Sequence, residues 1–297
     1  MYLPNLKHLR YLLALYQEQN FHRAASACFV SQSTLSSAIL KLEEQLNCQL
    51  IERDNKSFLF TVQGLEVVEK SRQLLVSANE LVSFAKQQGD EFSGQVRIGC
   101  IPTIAPFLLT DFVNACQKTL PDLEMYLRED TTENLVKMLN NGEIDVLILA
   151  LPIAHHSFHC KKVGKDHFFM AGEQVLVNKF QQTGNYQSLP EQSVFLLSSE
   201  HCLTEHAVSA CQLADKARIN PFSASSLSTL VQMTALHQGV TFLPKMAINK
   251  GVGKAEELSV EKLDKAFYRE IGVLWRKTSM RNSLYNQLSK IVEGLLK

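Results

Sequence analysis

From Gln63 to about Gln88 the chain carries no proline and a single glycine, Gly64, near its start. Within this run Leu65, Val68, Leu75 and Val82, together with Ala78 and Ala85, recur at spacings of three, four and seven. That imperfect heptad predicts one helix about 40 Å long with a single apolar seam. A lone helix of that length needs something to cover its seam, so the run is expected to be a linker that dimerises.

Residues 6 to 60 have a helical texture closed by a small hairpin. Leu6, Leu9, Leu12, Leu13 and Tyr16 fall on one helical face. Asn20 can cap a second helix, "FHRAASACF", in which Ala24, Ala25 and Ala27 permit close helix approach. Ser31 can cap a third, and Leu35, Ile39, Leu42 and Leu46 give it an inward stripe. The segment "LIERDNKSFLFT" alternates around "DNK" and reads as a two-stranded wing, after which Thr61 can cap the long helix.

Beyond "QQGDEFSGQ", punctuated by Gly89 and Gly94, strands and helices alternate. "GQVRIGCI", "LEMYLRED" and "IDVLILAL" read as strands, separated by the helices "APFLLTDFVNACQKTL" and "TTENLVKMLNNGE". That order predicts a parallel sheet covered on both faces, and the length of the region suits two α/β lobes around a cleft. The expected class is α+β overall. Residues 1–62 form a winged helix-turn-helix, 63–90 the linker helix and 94–297 a two-lobed α/β domain. Lobe I is expected at about 94–165 and 267–297, and lobe II at about 166–266.

Composition excludes more than it assigns. Lys plus Arg and Asp plus Glu both total 30, so net charge points to neither nucleic acid nor membrane. The most apolar run, "IDVLILALPIA", is about half of what a bilayer requires. The N-terminus reads as an amphipathic helix and not as a signal peptide. Seven cysteines at irregular spacings, with no CxxC, do not form a secreted disulfide framework. A cytoplasmic location with reduced thiols is therefore expected, with no cofactor and no membrane partner.

A helix ending near Phe29, a tight turn and a Ser-capped helix make a helix-turn-helix, whose second helix enters the major groove by its N-terminal end. With the 35/39/42/46 stripe inward, Gln32, Ser33, Thr34, Ser36, Ser37 and Lys41 face outward. Gln pairs with adenine, Ser and Thr reach bases or phosphates, and the helix N-terminus around Ser31 attracts phosphate. Arg53 and Lys56 on the wing are placed to grip the backbone. A small bundle that reads no DNA is the bland alternative.

The stretch "FHRAASACFVSQSTLSSAILKLEEQLNCQLIERDNKSFLFTVQG" resembles the winged helix-turn-helix of the LysR-type transcriptional regulators. The resemblance continues through the linker helix and, from "GQVRIG", into an effector domain of two lobes similar to periplasmic binding proteins. "IGCIPTIAPFLL", "LEMYLRED", "IDVLILAL", "HCLTEHAVSAC" and "GVTFLP" carry it to the end of the chain, and they are most similar to the peroxide-sensing members of the family. Departures are local. The family often has Pro where this chain has Ser33, and Gln and Arg where it has Ala38 and Leu40, so the DNA site is expected to differ.

The resemblance implies a redox switch, with Cys202 the peroxidatic and Cys211 the resolving cysteine. Ser198 or Ser199 is expected to cap a short helix with Cys202 in or near its first turn, where the helix dipole favours thiolate. His201 can contribute a proton or hydrogen bonds, while Glu200 opposes a second negative charge. Nine helical residues span ~13.5 Å, whereas a disulfide needs Cα atoms within about 7 Å. The bridge therefore requires this stretch to unfold. On residues alone, the reading of both thiols as small buried hydrophobes, the commonest fate of free cysteine, is the favoured one.

The resemblance further implies a peroxide pocket with hydroxyls at Thr103 and Thr132, each at a strand-to-helix junction where helix capping is the plain alternative. Pro221 stands where those relatives have a histidine, so the polar network must be rebuilt, with His201, His206 or Asn220 as candidates. Implied partners are double-stranded promoter DNA, hydrogen peroxide, RNA polymerase, a thiol reductant such as glutaredoxin or thioredoxin, and further copies of the chain as dimer or tetramer. Cys28, Cys48, Cys100, Cys116 and Cys160 are read as packing residues. His155, His156, His159 and Cys160 suit zinc or copper in donor type but lack a second ligand group nearby. Two other functions remain open: a small organic effector bound between the lobes, and a thiol peroxidase, for which the winged helix would be superfluous.

Overall fold

The structure, a computed structural model, describes residues 3–54, 57–86, 91–153, 157–184, 186–200, 202–210, 216–263 and 266–297. Lys56, His155, His156, His201 and Cys211 lie outside these residues, as do residues 87–90 of the expected linker. The chain folds as two compact units, Met1–Gly89 and Asp90–Lys297.

The first unit begins with α1 (Leu6–Glu18), α2 (Phe21–Ala27) and α3 (Gln32–Leu46). Their starts are set locally. Asn5 Oδ1 accepts from the Lys7 amide, Asn20 Oδ1 from the Arg23 amide and Ser31 Oγ from the Thr34 amide. Each cap satisfies an amide that has no partner inside its helix. Leu35, Ile39 and Leu42 of the α3 stripe are buried, and Leu46 is half-buried. The inward face of α1 is Leu9, Tyr11, Leu12 and Leu15. Leu6 is exposed, and Leu13 and Tyr16 pack only at the margin, so the expected α1 face is rotated toward Tyr11 and Leu15.

A hairpin follows, β1 (Ile51–Arg53) antiparallel to β2 (Phe58–Phe60), with Ile51 opposite Phe60 and Arg53 opposite Phe58. Then comes α4 (Val62–Lys86), 25 residues long, which is about 37 Å of helix. Thr61 Oγ1 accepts from the Gly64 amide at 2.8 Å. A Cβ on Gly64 would stand 2.0 Å from the Leu50 carbonyl oxygen, so no larger residue fits there without moving the wing. The expected seam of α4 divides. Val68 joins the core of the first unit and Leu75 packs at its edge, while Leu65 and Val82 are exposed.

The second unit contains β3 (Gly94–Cys100), α5 (Ala105–Thr119), β4 (Leu123–Glu129), α6 (Thr132–Asn140), β5 (Val146–Leu151) and the long β6 (Phe158–Gly172). It continues with α7 (Gln174–Thr183), β7 (Val194–Leu197), α8 (Cys202–Ala210), β8 (Ile219–Ala224), α9 (Leu227–Leu236) and β9 (Val240–Pro244). It closes with α10 (Lys245–Asn249), β10 (Ser259–Lys262), β11 (Tyr268–Arg276) and α11 (Asn282–Leu295).

The strands run in the order β4-β3-β5-β11-β6-β9-β7-β8, with β10 also on β6. The expected parallel pairing holds for β3 with β4 and β5, and for β7 with β8 and β9. It fails at the centre, where β6 and β11 run antiparallel to each other and to their outer neighbours β9 and β5. These two strands carry the chain from one half to the other and back, so they must oppose each other. Two apolar cores flank the crossover. One draws on residues between Val96 and Val163 and between Ile271 and Val292, the other on residues between Phe168 and Leu263.

Candidate nucleic-acid interface and sensing site

In the first unit the residues predicted to read DNA lie on and beside α3. Ser31 is spent on capping, and its hydroxyl also bonds those of Ser33 (2.9 Å) and Thr34 (2.7 Å). Gln32, Ser33, Thr34, Ser37 and Lys41 are exposed. Ser36 is half-buried and accepts from Arg53 Nη1 at 3.2 Å. The Arg53 guanidinium also lies over the Phe21 ring, 5.5 Å from its centroid, within cation–π range. Phe21 ends an aromatic chain through Phe58, Phe60 and Tyr16, with successive centroids 5.0, 5.8 and 5.4 Å apart. Glu43 Oε1 accepts from the amides of Leu50 (2.7 Å) and Ile51 (3.1 Å), which fixes the start of the wing on α3. Phe21 and Glu43 do not stand out in the sequence. An aromatic at the start of a helix and a Glu in a charged run have many uses, and only the fold brings them to the wing.

In the second unit the carboxyl ends of β3, β4 and β7 face a cavity of about 530 Å³. Its walls include Thr103, Phe107 and Glu129 from one half and Leu197, Ser226 and Lys250 from the other. This is the usual ligand edge of an open α/β sheet. Lys250 Nζ reaches across to Asp111 Oδ2 at 2.7 Å, an ion pair between α5 and the end of α10. Thr103 is therefore at the cleft, but it is no helix cap. Its Oγ1 accepts from Arg269 Nη1 at 2.7 Å and its carbonyl from Arg269 Nη2 at 2.9 Å.

Arg269 itself is 1% exposed and paired with Asp166, 3% exposed, whose other oxygen accepts from the Met246 amide. One buried charge pair thus ties both crossover strands to the loop after β3 and to α10. It is invisible in sequence, because its members stand far apart in the chain. Thr132 is the first residue of α6, half-buried, and Thr131 supplies the cap, its Oγ1 accepting from the Asn134 amide. Thr132 does not line the cavity.

Cys202 opens α8, five residues beyond Leu197 at the end of β7. Ser198 does not cap it. The Ser198 hydroxyl donates to Glu200 Oε1 at 3.1 Å instead. Thr204 Oγ1 donates to the Leu197 carbonyl, and buried Leu203 and Ala207 seat the helix on the second core. The side chain of Cys202 lies outside the described residues, with His201, the His206 side chain and Cys211. Asn220 is engaged locally, donating to the Gln192 carbonyl and accepting from the Phe222 amide. It is therefore not free to replace a pocket histidine. Among the packing cysteines, burial raises the pKa of Cys28 and of Cys160, pushes the Cys116 thiol up to about 12, and raises that of Cys100 still further. His159 packs near Trp275 at 5.6 Å between centroids, and no cluster of metal-ligating side chains occurs among the described residues.

Two sequence matches span these two units. Residues 6–65 match the bacterial regulatory helix-turn-helix protein, lysR family, and residues 89–295 match the LysR substrate binding domain. The chain belongs to the LysR family of transcriptional regulators. It is 34% identical to the HTH-type transcriptional regulator EstR of Acinetobacter baylyi, over 99% of this chain and 97% of that protein. It is 33% identical to the DNA-binding transcriptional dual regulator OxyR of Escherichia coli K12, over 98% and 95% respectively. The reduced regulatory domain of OxyR2 from Vibrio vulnificus superposes with a TM-score of 0.66 at 50% identity, covering 70% of this chain and 98% of that one. A full-length OxyR variant from Pseudomonas aeruginosa gives a TM-score of 0.72 at 26% identity, covering 98% and 95%. The α+β class, with a helix-turn-helix joined to a LysR effector domain, therefore holds. No helix among the described residues is long and apolar enough to cross a membrane.

Proposed function

We propose that this LysR-family regulator senses hydrogen peroxide through Cys202 and Cys211 and changes its promoter contacts in response. The observation that carries the reading is the position of Cys202 at the first residue of α8, a nine-residue helix that ends at Ala210, just before Cys211. Amides at a helix start favour thiolate. The thiolate sulfur attacks one peroxide oxygen, the O–O bond breaks, and the other oxygen leaves as water after taking up a proton. Cys202 is then a sulfenic acid. The Cys211 thiol displaces that hydroxyl as a second water, leaving a disulfide.

From Cys202 to Ala210 the helix rises about 12 Å, too far for a bridge needing Cα atoms within about 7 Å. Closure must therefore dismantle α8, which turns a chemical event into a conformational one. Similarity to OxyR and OxyR2 supports this reading; EstR, a regulator of a different name at like identity, does not speak for it.

The winged helix reads DNA through Gln32, Ser33, Thr34, Ser36, Ser37, Lys41, Arg53 and Lys56, with Ser31 as the cap. Thr103, Thr132 and His201 are assigned to the peroxide pocket, and Thr103 is held in place by Arg269. RNA polymerase and a glutaredoxin- or thioredoxin-type reductant complete the cycle in the cytoplasm, without enzymatic turnover. The test is stoichiometric peroxide, alkylation and peptide mass spectrometry on wild type, Cys202→Ser and Cys211→Ser. A Cys202–Cys211 bridge in wild type and a sulfenate on Cys202 in Cys211→Ser are expected. Two thiols that stay reduced would sink the peroxide reading.

The cavity of about 530 Å³ favours a second reading, a small organic effector held between the halves. An organic molecule that changes DNA binding while both thiols remain reduced would establish it.

A further inference from the structure

We propose that the groove between α1 and α3 is a cradle for a phosphate oxyanion, filled by one phosphate of the DNA backbone, so that Lys7, His8 and Tyr11 join the DNA-binding face. The proposal rests on the winged-helix unit reading DNA. The groove measures about 370 Å³, and Lys7, His8 and Tyr11 of α1 line it opposite Ser33, Thr34, Ser37 and Lys41 of α3. Among the described residues no carboxylate lines it. Among the described residues neither Lys7 nor Lys41 has an ion pair, so two ammonium groups converge on one groove without compensation.

Two further observations mark the place as built for a polar guest. Among the described residues, the hydroxyl of Tyr11, which is 1% exposed, has no hydrogen-bond partner, and neither has the buried Nδ1 of His8. Buried polar atoms are ordinarily paired, and an orphan is costly unless something arrives to satisfy it. The field in the groove is also positive. His8 holds its proton less readily than an ordinary histidine, first through burial and then through Lys41 and Lys7. Lys7 Nζ lies 5.8 Å from the centroid of the Tyr11 ring, which keeps that cation over the groove.

The guest is assigned to DNA because the opposite wall is the exposed face of α3. Ser33, Thr34, Ser37 and Lys41 there are the residues expected at the duplex, and the start of α3 directs backbone amides toward anions. A phosphate seated between the helices would set how deeply α3 enters the major groove, because phosphate contacts fix register while base contacts specify sequence.

The experiment uses the full-length protein and a duplex recovered by selection from a random-sequence pool. Affinity is measured against salt for wild type, Lys7→Gln and, as a charge control in the other unit, Lys118→Gln. Lys7 is exposed, so Lys7→Gln should melt at the wild-type temperature. Expected for Lys7→Gln is a log–log salt slope shallower by about 0.9 and an affinity lower by about fivefold near physiological salt. Lys118→Gln should keep the wild-type slope. One neutral methylphosphonate in the duplex should weaken wild type more than Lys7→Gln, which still holds that phosphate through Lys41.

An unchanged slope in Lys7→Gln would overturn the proposal. So would an equal loss for both proteins at every methylphosphonate position. Melting in sodium phosphate against sodium chloride of equal ionic strength separates the sources of oxyanion. A rise that depends on Lys7, with the DNA slope unchanged, would assign the cradle to free phosphate and overturn the DNA assignment. If wild type selects no duplex at all, the DNA reading itself falls.

Discussion

Arg269 and Asp166 sit at the crossover with almost no surface exposed, and the guanidinium also donates twice to Thr103 and once to the Met246 sulfur. Among the described residues, Arg269→Ala leaves buried Asp166 with the Met246 amide as its remaining partner. A loss of about 3–5 kcal/mol is expected, measured by urea unfolding. Replacing both members, as in Arg269→Met with Asp166→Leu, should recover a large part of it, because the cost lies in the unpaired charge. Thiols carry a pH signature. An unfolded cysteine titrates near about 8.5, whereas burial holds the folded Cys116 proton to about 12. The folded pKa is the higher one, so the unfolded state loses its proton first. Stability present below the ordinary thiol range should fall as pH climbs from about 8.5 toward 12. Urea unfolding at the two ends of that window should show a smaller fall in Cys116→Ala. At this scale the sequence marked candidates by residue type. It could not tell Thr131 from Thr132 as the cap, because both are threonines at one junction and the backbone decides.

Elements with strong local signals were legible. α3 begins at its serine cap and buries Leu35, Ile39 and Leu42 because cap and stripe agree within a few residues. α8 was harder. Ser198 bonds elsewhere, and the start of α8 is fixed by Leu203 and Ala207 settling into the second core and by Thr204 on the end of β7. If disulfide closure requires α8 to open, weakening the helix should speed closure without changing the peroxide step. Ser209→Gly lies in the last turn of α8 and should cost it roughly 0.5 kcal/mol at most. Stopped-flow oxidation should then show unchanged sulfenate formation and a resolving step faster by up to about twofold. A resolving rate equal to that of wild type would mean that α8 is not what limits closure.

Across the whole molecule, α4 leaves Leu74 and Leu81, seven residues apart, exposed on a 25-residue helix. If α4 dimerises the chain, Leu74→Glu with Leu81→Glu should weaken the dimer by at least tenfold in analytical ultracentrifugation while the effector unit keeps its melting temperature. The sequence alone determined that there are two textures joined by one long helix, because hydrophobic period, caps and breakers are local and survive without knowledge of neighbours. It also determined the family, through motifs in order along nearly the whole chain. What only the tertiary structure decided is what depends on distant partners. β6 and β11 turn an expected parallel sheet into a mixed one, and the Arg269–Asp166 pair ties residues far apart in the chain. α1 meets α3 in a groove whose two lysines and orphaned hydroxyl carry no signature in sequence. Charge pairing and burial are properties of positions in space, and the chain order records neither.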